Sequence, residues 1–595
     1  MFQTFDNPSS PDTGPARLAA LRASMAASNI DAFIVPRADR FQGEYVAPCD
    51  ERLAWLTGFT GSAGFACITA AEAAVFVDGR YTTQVKQQVA LDHFTPVDWP
   101  DTQLPNWLSA RAETIKAIAF DPWLHTIREV RALEKAAKKT GQTIAPTANL
   151  VDAVWSDRPA APVAKFRDYP IEFAGKPAHE KVADVVKSLT GAQGVFISQP
   201  DSVAWLLNIR GSDIERNPVP HAMALILASG GVVLFCDPAK TADLSLPEWV
   251  QVLPEDQSAS FLSVADKPIQ LDDATAPYAL LDVLDEDAVT FATDPCVMPK
   301  ACKNPTEVEG ARTAHLRDAA AVIRFLAWYD GAIANETLTE IDLVERLEAY
   351  RRDTNSLLDI SFDTISGAGP NGALPHYRVS TDSNRQLEKG QLVVLDSGGQ
   401  YLDGTTDITR TLAVGQVGTS EIRCYTRVLQ GVIAISRARF PKGVAGMHLD
   451  ALARAPLWAD GLDFDHGTGH GVGAYLCVHE GPQRLSRASD VPLTTGMILS
   501  NEPGYYREGA FGIRLENLIV VRDAPPLAGG DAHRKQLGFE TLTFVPFDRN
   551  LIDVALLSAD ERQWIDDYHA EVLDKVGPNL DDATTSWLAQ ACAPL

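Results

Sequence analysis

Four carboxylates and an imidazole stand between Leu395 and Glu516, in segments that are apolar or rich in glycine. They are Asp396, Asp407, His470, Glu502 and Glu516. A solvated acidic face would surround such residues with polar neighbours. Here they close or interrupt runs such as QLVVLD, MILSN and FGIRLENLIVV. An unpaired carboxylate in such a strand costs several kcal/mol before its pKa shifts. The fold must therefore bring the five together around positive charge. Two divalent cations a few ångströms apart repel, and they stay together only when anionic oxygens surround and bridge them. Four hard carboxylates with one imidazole meet that need. The segment reads as a two-metal cage, and the chain as a hydrolytic metalloenzyme.

The flanking residues sharpen this reading. Asp396 closes QLVVLD, and Asp407 lies in GTTDITRTL, whose alternation marks a second strand. The glycine-rich connection SGGQYLDG predicts a sharp antiparallel return that sets the two carboxylates side by side. Arg514, two residues before Glu516, shares its strand face and is placed to hold an aspartate ligand from behind. The alternative is a simple surface pair between Arg514 and Glu516. Glu502 follows MILSN and precedes a rigid Pro-Gly turn, forming a second carboxylate pair with Glu516. His466, His470 and His479 share HGTGHGVGAYLCVHEGP, whose glycines allow backbone and substrate to approach closely. One of the three is expected to bind metal and the others to serve substrate, against a reading as structural imidazoles. His376 in ALPHYR and Tyr506 in EPGYY carry little weight alone.

The chain has 595 residues, 46% apolar and 22% charged, as expected of two to four globular domains. Its net charge of −26 argues against nucleic acid and anionic membrane as partners. Eight scattered cysteines without a CxxC read as free thiols in a reducing compartment. The polar, proline-rich start is unlike a secretory signal, and no apolar run approaches the roughly 20 residues that span a bilayer. A cytoplasmic location is expected.

Residues 1–15 read as a loose polar tail, followed by a helix at 16–28 and strands at 31–36, 64–69, 73–78 and 115–120. An internal repeat then appears: AWLTGFTGS (54–62) matches AWLLNIRGS (204–212) at five of nine positions. Each copy precedes an apolar strand pair closed by Asp, which predicts two domains of one fold. Beyond residue 304 the order becomes helix, helix, strands, and it occurs twice before residue 525. That predicts a pseudo-symmetric α+β domain with its site between the halves. The expected boundaries are 1–160, 161–303 and 304–595.

At this point the chain resembles a known family, aminopeptidase P (Xaa-Pro aminopeptidase), in its long three-domain form among the pita-bread metallopeptidases. The stretches that carry the resemblance include ALPHYR, LDSGGQYLDGTTDITRT, HGTGHGVGAYLCVHEGP, SNEPGYY and FGIRLENLIVV. It extends to GEYVAPCDERLAWLTGFTGSAG, LLNIRGSDIERNPV and GFETLTFVPFD. The implied fold is two duplicated creatinase-like α/β domains followed by a pita-bread catalytic domain with a helical tail. The resemblance implies Asp396 as ligand to one metal, His470 and Glu502 on the other, and Asp407 and Glu516 bridging. It makes His376, His466 and His479 the substrate-side histidines, with Glu502 shuttling a proton. His376 and His479, with Arg514 and Tyr506, would line the substrate. Two Mn²⁺ are expected, with Zn²⁺ or Co²⁺ as alternatives. The implied reaction is attack by a dimetal-bridging hydroxide on the bond before a proline at position two of a peptide, in a homodimer. An Xaa-Pro dipeptidase (prolidase) on the same fold is the alternative, followed by an inactive peptide-binding protein. One departure stands out: Arg378-Val379 follows His-Tyr where long-form relatives often carry Ala-Pro.

Overall fold

The computed structural model describes residues 1–6, 9–531 and 533–595, which form two compact units. One comprises residues 9–171 and 176–297; the other comprises residues 1–6, 172–175 and 298–595.

The first unit holds both copies of the repeat. The helix Arg52–Thr57 ends at Gly58 with φ 87°, and the helix Pro200–Leu207 ends at Asn208 with φ 51°. A left-handed cap is what Gly and Asn tolerate, so the repeated sequence stops both helices in the same way. An antiparallel pair follows each: Phe65–Thr69 with Ala73–Val77, and Met223–Leu227 with Val232–Phe235. When the six strands of each sheet are counted in chain order, both sheets run 4-3-2-1-5-6. The pairs 1-2 and 2-3 are antiparallel and the other three parallel, in both copies. Agreement of order and of every pairing sense is the topological signature of duplication.

In the second unit the helices Pro305–Ala332 and Glu340–Arg352 precede a sheet of Ile365–Ala368, Leu392–Ser397 and Ile408–Ala413. Capping boxes at Asn304/Glu307 and Thr339/Asp342 set both helix starts. Thr419–Ser436 and Gly446–Trp458 then precede a second sheet containing Gly469–Gly471, Ile498–Asn501 and Asn517–Ala524. The helix–helix–sheet order thus recurs as the periodicity predicts. Leu395, Phe325 and Val432 share one core with Tyr568 and Val572 of the tail helix Ala559–Val576, so the tail completes this core. Each such buried side chain contributes about 1.5–3 kcal/mol.

The structure departs from expectation at three places. The return after Asp396 is the expected sharp antiparallel one, reversing at Leu402 and Asp403 between Tyr401 and Gly404, but its arms Gly399–Tyr401 and Gly404–Thr405 form a separate small sheet with Asp359–Ile360. The run 511–522 splits, Phe511–Arg514 pairing with Gly504–Arg507 while Asn517–Ala524 joins the larger sheet. Residues 1–6 are not loose but pack on the second unit. Among the described residues no helix is long and apolar enough to cross a membrane.

Candidate metal centre

Two antiparallel ladders end close to one another in the second unit. Asp396 lies opposite Thr409, and Ser397 opposite Ile408 is the last pair of its ladder. Asp407 therefore stands one residue beyond that ladder. In the other sheet Asn501 opposite Asn517 is the last pair, so Glu502 and Glu516 leave it at the same level. Thr409 joins the two sheets. Its carbonyl accepts from the Glu516 amide at 3.1 Å, and its hydroxyl donates to Glu516 Oε2 at 2.8 Å. His470 stands on the neighbouring strand Gly469–Gly471. Its amide donates to Ser500 Oγ at 2.9 Å, and that hydroxyl donates to Glu502 Oε1 at 3.1 Å.

The side chains converge. His470 Nε2 lies 3.4 Å from Asp407 Oδ2 and 3.5 Å from Glu502 Oε1. One ligand atom each from Asp407, His470 and Glu516 fall within 4.8 Å of one another. His470 Nδ1 lies 2.9 Å from the Gly471 carbonyl, which fixes the proton there and turns the Nε2 lone pair inward. Asp396 Oδ1, Asp407 Oδ1 and Glu516 Oε1 are buried with no hydrogen-bond partner among the described residues. Each unsatisfied buried acceptor costs about 1–3 kcal/mol, and more when charged.

The electrostatics point the same way. Burial raises the Asp396 carboxyl to about 6, with Arg514 pulling it down and Asp407 pushing it up. Burial, then Asp407, Glu502 and Asp396, hold Glu516 well above the usual carboxylate range. Burial works against a His470 cation, yet Asp407 and Glu502 push the imidazole up to about 9. Each group is asking for positive charge. The donor set of four carboxylates and one inward nitrogen, with three orphaned oxygens, fits two divalent cations.

Arg514 is buried and pairs with Asp396, not as a surface partner of Glu516: Nη2 donates to Asp396 Oδ2 at 2.5 Å. Its Nη1 donates to Tyr506 OH at 2.6 Å and to the Pro375 carbonyl at 3.0 Å, immediately before His376. Burial pushes the Tyr506 hydroxyl up to about 12, so it keeps its proton and faces His466 Nε2 at 2.9 Å. His466 Nδ1 lies 2.8 Å from the Gly467 carbonyl. The His479 ring packs edge-on to His470 at 4.3 Å between centroids. Asp407, His470, Glu502 and Glu516 thus lie together, Arg514 links Asp396 to Tyr506 and through it to His466, and His376 follows Pro375, whose carbonyl Arg514 holds. Sequence reasoning missed Thr409 and Ser500. Their signal lay in strand alternation, since each sits two residues from a carboxylate and so shares its face.

The chain matches the model of Metallopeptidase family M24 over residues 309–523 and the C-terminal region of peptidase_M24 over 535–595. Two models of a Creatinase/Prolidase N-terminal domain match residues 17–154 and 157–307. A Laccaria bicolor protein named "Probable Xaa-Pro aminopeptidase P" is 40% identical, over 97% of this chain and 93% of its own length. An Aspergillus niger protein of the same name is 41% identical, over 97% and 98%. Among solved structures, an X-prolyl aminopeptidase from Caenorhabditis elegans superposes with a TM-score of 0.93 at 33% identity, covering 98% of this chain and 100% of that one. It is described as a cytosolic enzyme with a di-nuclear active site. The dipeptidase PepE of Mycobacterium ulcerans reaches a TM-score of 0.50 at 25% identity and covers 64% of this chain and 98% of its own.

Proposed function

The chain belongs to the Xaa-Pro aminopeptidase P family of M24 metallopeptidases, and we propose that it removes the first residue from peptides carrying proline second. One observation carries the reading. Four carboxylates and an inward imidazole nitrogen converge with three orphaned oxygens, in a chain that aligns nearly end to end with aminopeptidase P.

In this reading Asp396 would hold one cation, His470 and Glu502 the other, and Asp407 and Glu516 would be shared. Mn²⁺ is the proposed ion, because oxygen donors dominate the set. When bound, the pair supplies a water of lowered pKa and an electrophile for the scissile carbonyl. Glu502 takes the proton of the attacking water and passes it to the departing proline nitrogen. His466 uses both ring nitrogens on Gly467 and Tyr506, and so fixes Tyr506 in place. His479, whose ring packs edge-on to His470, is the proposed donor to the developing oxyanion and supplies the preorganised stabilisation that acyl transfer needs. The proline nitrogen carries no N–H, so its pocket must read ring shape, with His376 and His479 as walls. The proposed setting is the cytoplasm, supported by the absence of disulfides among the described cysteines and by a cytosolic relative. Assembly as a homodimer follows the family resemblance.

The test pairs metal analysis of the purified protein with assay of an Xaa-Pro-Pro tripeptide and an Xaa-Pro dipeptide. About two divalent cations per chain and cleavage of the tripeptide are expected. Hydrolysis of the dipeptide alone would move the chain to the dipeptidases. Full turnover by metal-stripped protein would end the reading altogether.

A further inference from the structure

Arg378 and Val379, which follow His376-Tyr377, have a structural role. Val379 is fully buried in a small core with Tyr377, Ile365 and Val344, and Phe5 packs against that core from the start of the chain. The Arg378 guanidinium reaches outward and grips the same arm. Its Nη1 donates to the Asp6 carbonyl at 2.9 Å and its Nη2 to the Thr4 carbonyl at 3.0 Å, while Nε donates to Asp363 at 2.8 Å. The arm is held along its length. Gln3, 2% exposed, exchanges side-chain hydrogen bonds with the Thr364 carbonyl at 3.2 Å and the Thr364 amide at 2.8 Å. The Phe2 and Gln3 amides donate to Glu348 at 2.7 and 3.3 Å, and the Thr381 amide donates to the Phe5 carbonyl at 2.9 Å.

Several of these contacts fall on the segment that carries His376, at Arg378, Val379 and Thr381. The segment 374–381 has no helix or strand of its own. It is pinned on one side where Arg514 binds the Pro375 carbonyl, and within by Tyr377, whose hydroxyl donates to Glu340 at 3.0 Å. The arm supplies the remaining side. A loop without regular structure loses conformational entropy when it is fixed, so its bearing depends on external partners. We propose that residues 2–6, locked by Arg378 and Phe5, form a strap that positions the His376 loop against the peptide substrate. Arg378 and Phe5 are positioning residues that act through His376. The proposal rests on the reading of His376 as a substrate-facing residue.

The strap is tested in the metal-loaded full chain with Arg378→Ala and Phe5→Ala, and with a variant lacking residues 2–6. Each is expected to keep its metal content and to lose at least tenfold in kcat/KM on the tripeptide, chiefly through KM. A synthetic peptide of residues 1–6 added to the truncated variant should restore it in a saturable manner. Metal loss in step with activity in all three variants would make the arm a general stabiliser and overturn the proposal, as would unchanged kinetics. His376→Ala separates the two readings. If it leaves kcat/KM intact, the role given to His376 fails. If it alone lowers kcat/KM, the strap fails.

Discussion

At the scale of single residues, a buried carboxylate needs a counter-charge or hydrogen-bond donors, and Asp407, just beyond its ladder, shows this most directly. Its Oδ1 is buried without a partner, its Oδ2 faces His470, and its charge pushes up both Asp396 and Glu516. Asp407→Asn should therefore act in opposite directions on the two forms of the protein. Bound metal and peptidase activity fall together, while the metal-stripped protein gains stability because one of several crowded anions is gone. Metal analysis and thermal unfolding after chelation check this; a stripped variant less stable than the stripped wild type would contradict it. His479 makes the contrast. Its ring packs edge-on against that of His470. His479→Ala should keep its metal and lose about 10²–10³ in kcat, the cost of removing one oxyanion donor. Loss of metal in that variant would mean that the histidine roles are exchanged.

At the scale of elements, the ladders carrying the ligands are tied to the tail by Arg410, three residues after Asp407. Its buried guanidinium donates to the Glu516 carbonyl at 2.6 Å, the Val545 carbonyl at 2.6 Å, Asn517 Oδ1 at 2.8 Å and Tyr568 OH at 3.2 Å. One side chain thus joins the strand after Asp407, the bend at Glu516 and the tail helix. Arg410→Ala should lower the unfolding free energy by on the order of 3 kcal/mol, read from urea denaturation, because several buried acceptors lose their donor at once. Arg410→Lys should recover little, since one ammonium cannot span that fork of acceptors. The tail's place in this network was not legible in the sequence, which shows an apolar, aromatic segment but not its partner. Helix starts were legible, because Thr339 and Asp342 signal themselves locally. The ligands were legible because charged residues in apolar strands are rare. The break between Arg514 and Asn517 was not, because no local signal interrupts FGIRLENLIVV. It arises where the Glu516 amide leaves its strand neighbours for the Thr409 carbonyl, a partner more than a hundred residues away. The arm was misread for the same reason: its polarity matches that of a tail, and its anchors at Glu348, Thr364 and Arg378 are remote in sequence.

For the molecule as a whole, duplication accounts for the first unit and charge for the second. Two copies of one mixed sheet need only their apolar faces and caps to fold. The second unit must in addition gather anions whose repulsion opposes folding until cations arrive. This ties its stability to pH. Asp396 has its carboxyl raised to about 6 in the metal-free fold, against about 3.9 unfolded, and Glu516 is likewise held well above its unfolded value. The native state therefore holds protons that the unfolded chain has released, so metal-free stability falls as pH rises from about 4 through 6 and beyond. His470 acts in the same direction. Raised to about 9 from about 6.5, it contributes fully below 6.5 and loses that contribution as pH passes 9. Cations displace all these protons, so metal binding strengthens over the range in which the metal-free site weakens. The gap in Tm between metal-loaded and chelated protein should widen steadily from pH 5 to pH 9. Groups outside the site affect both forms alike and cancel in that difference. Titration of metal into stripped protein at pH 7 should release protons, seen as a binding enthalpy that changes with the ionisation enthalpy of the buffer. A Tm gap indifferent to pH, with no proton release, would mean that these carboxylates and His470 do not receive the metal.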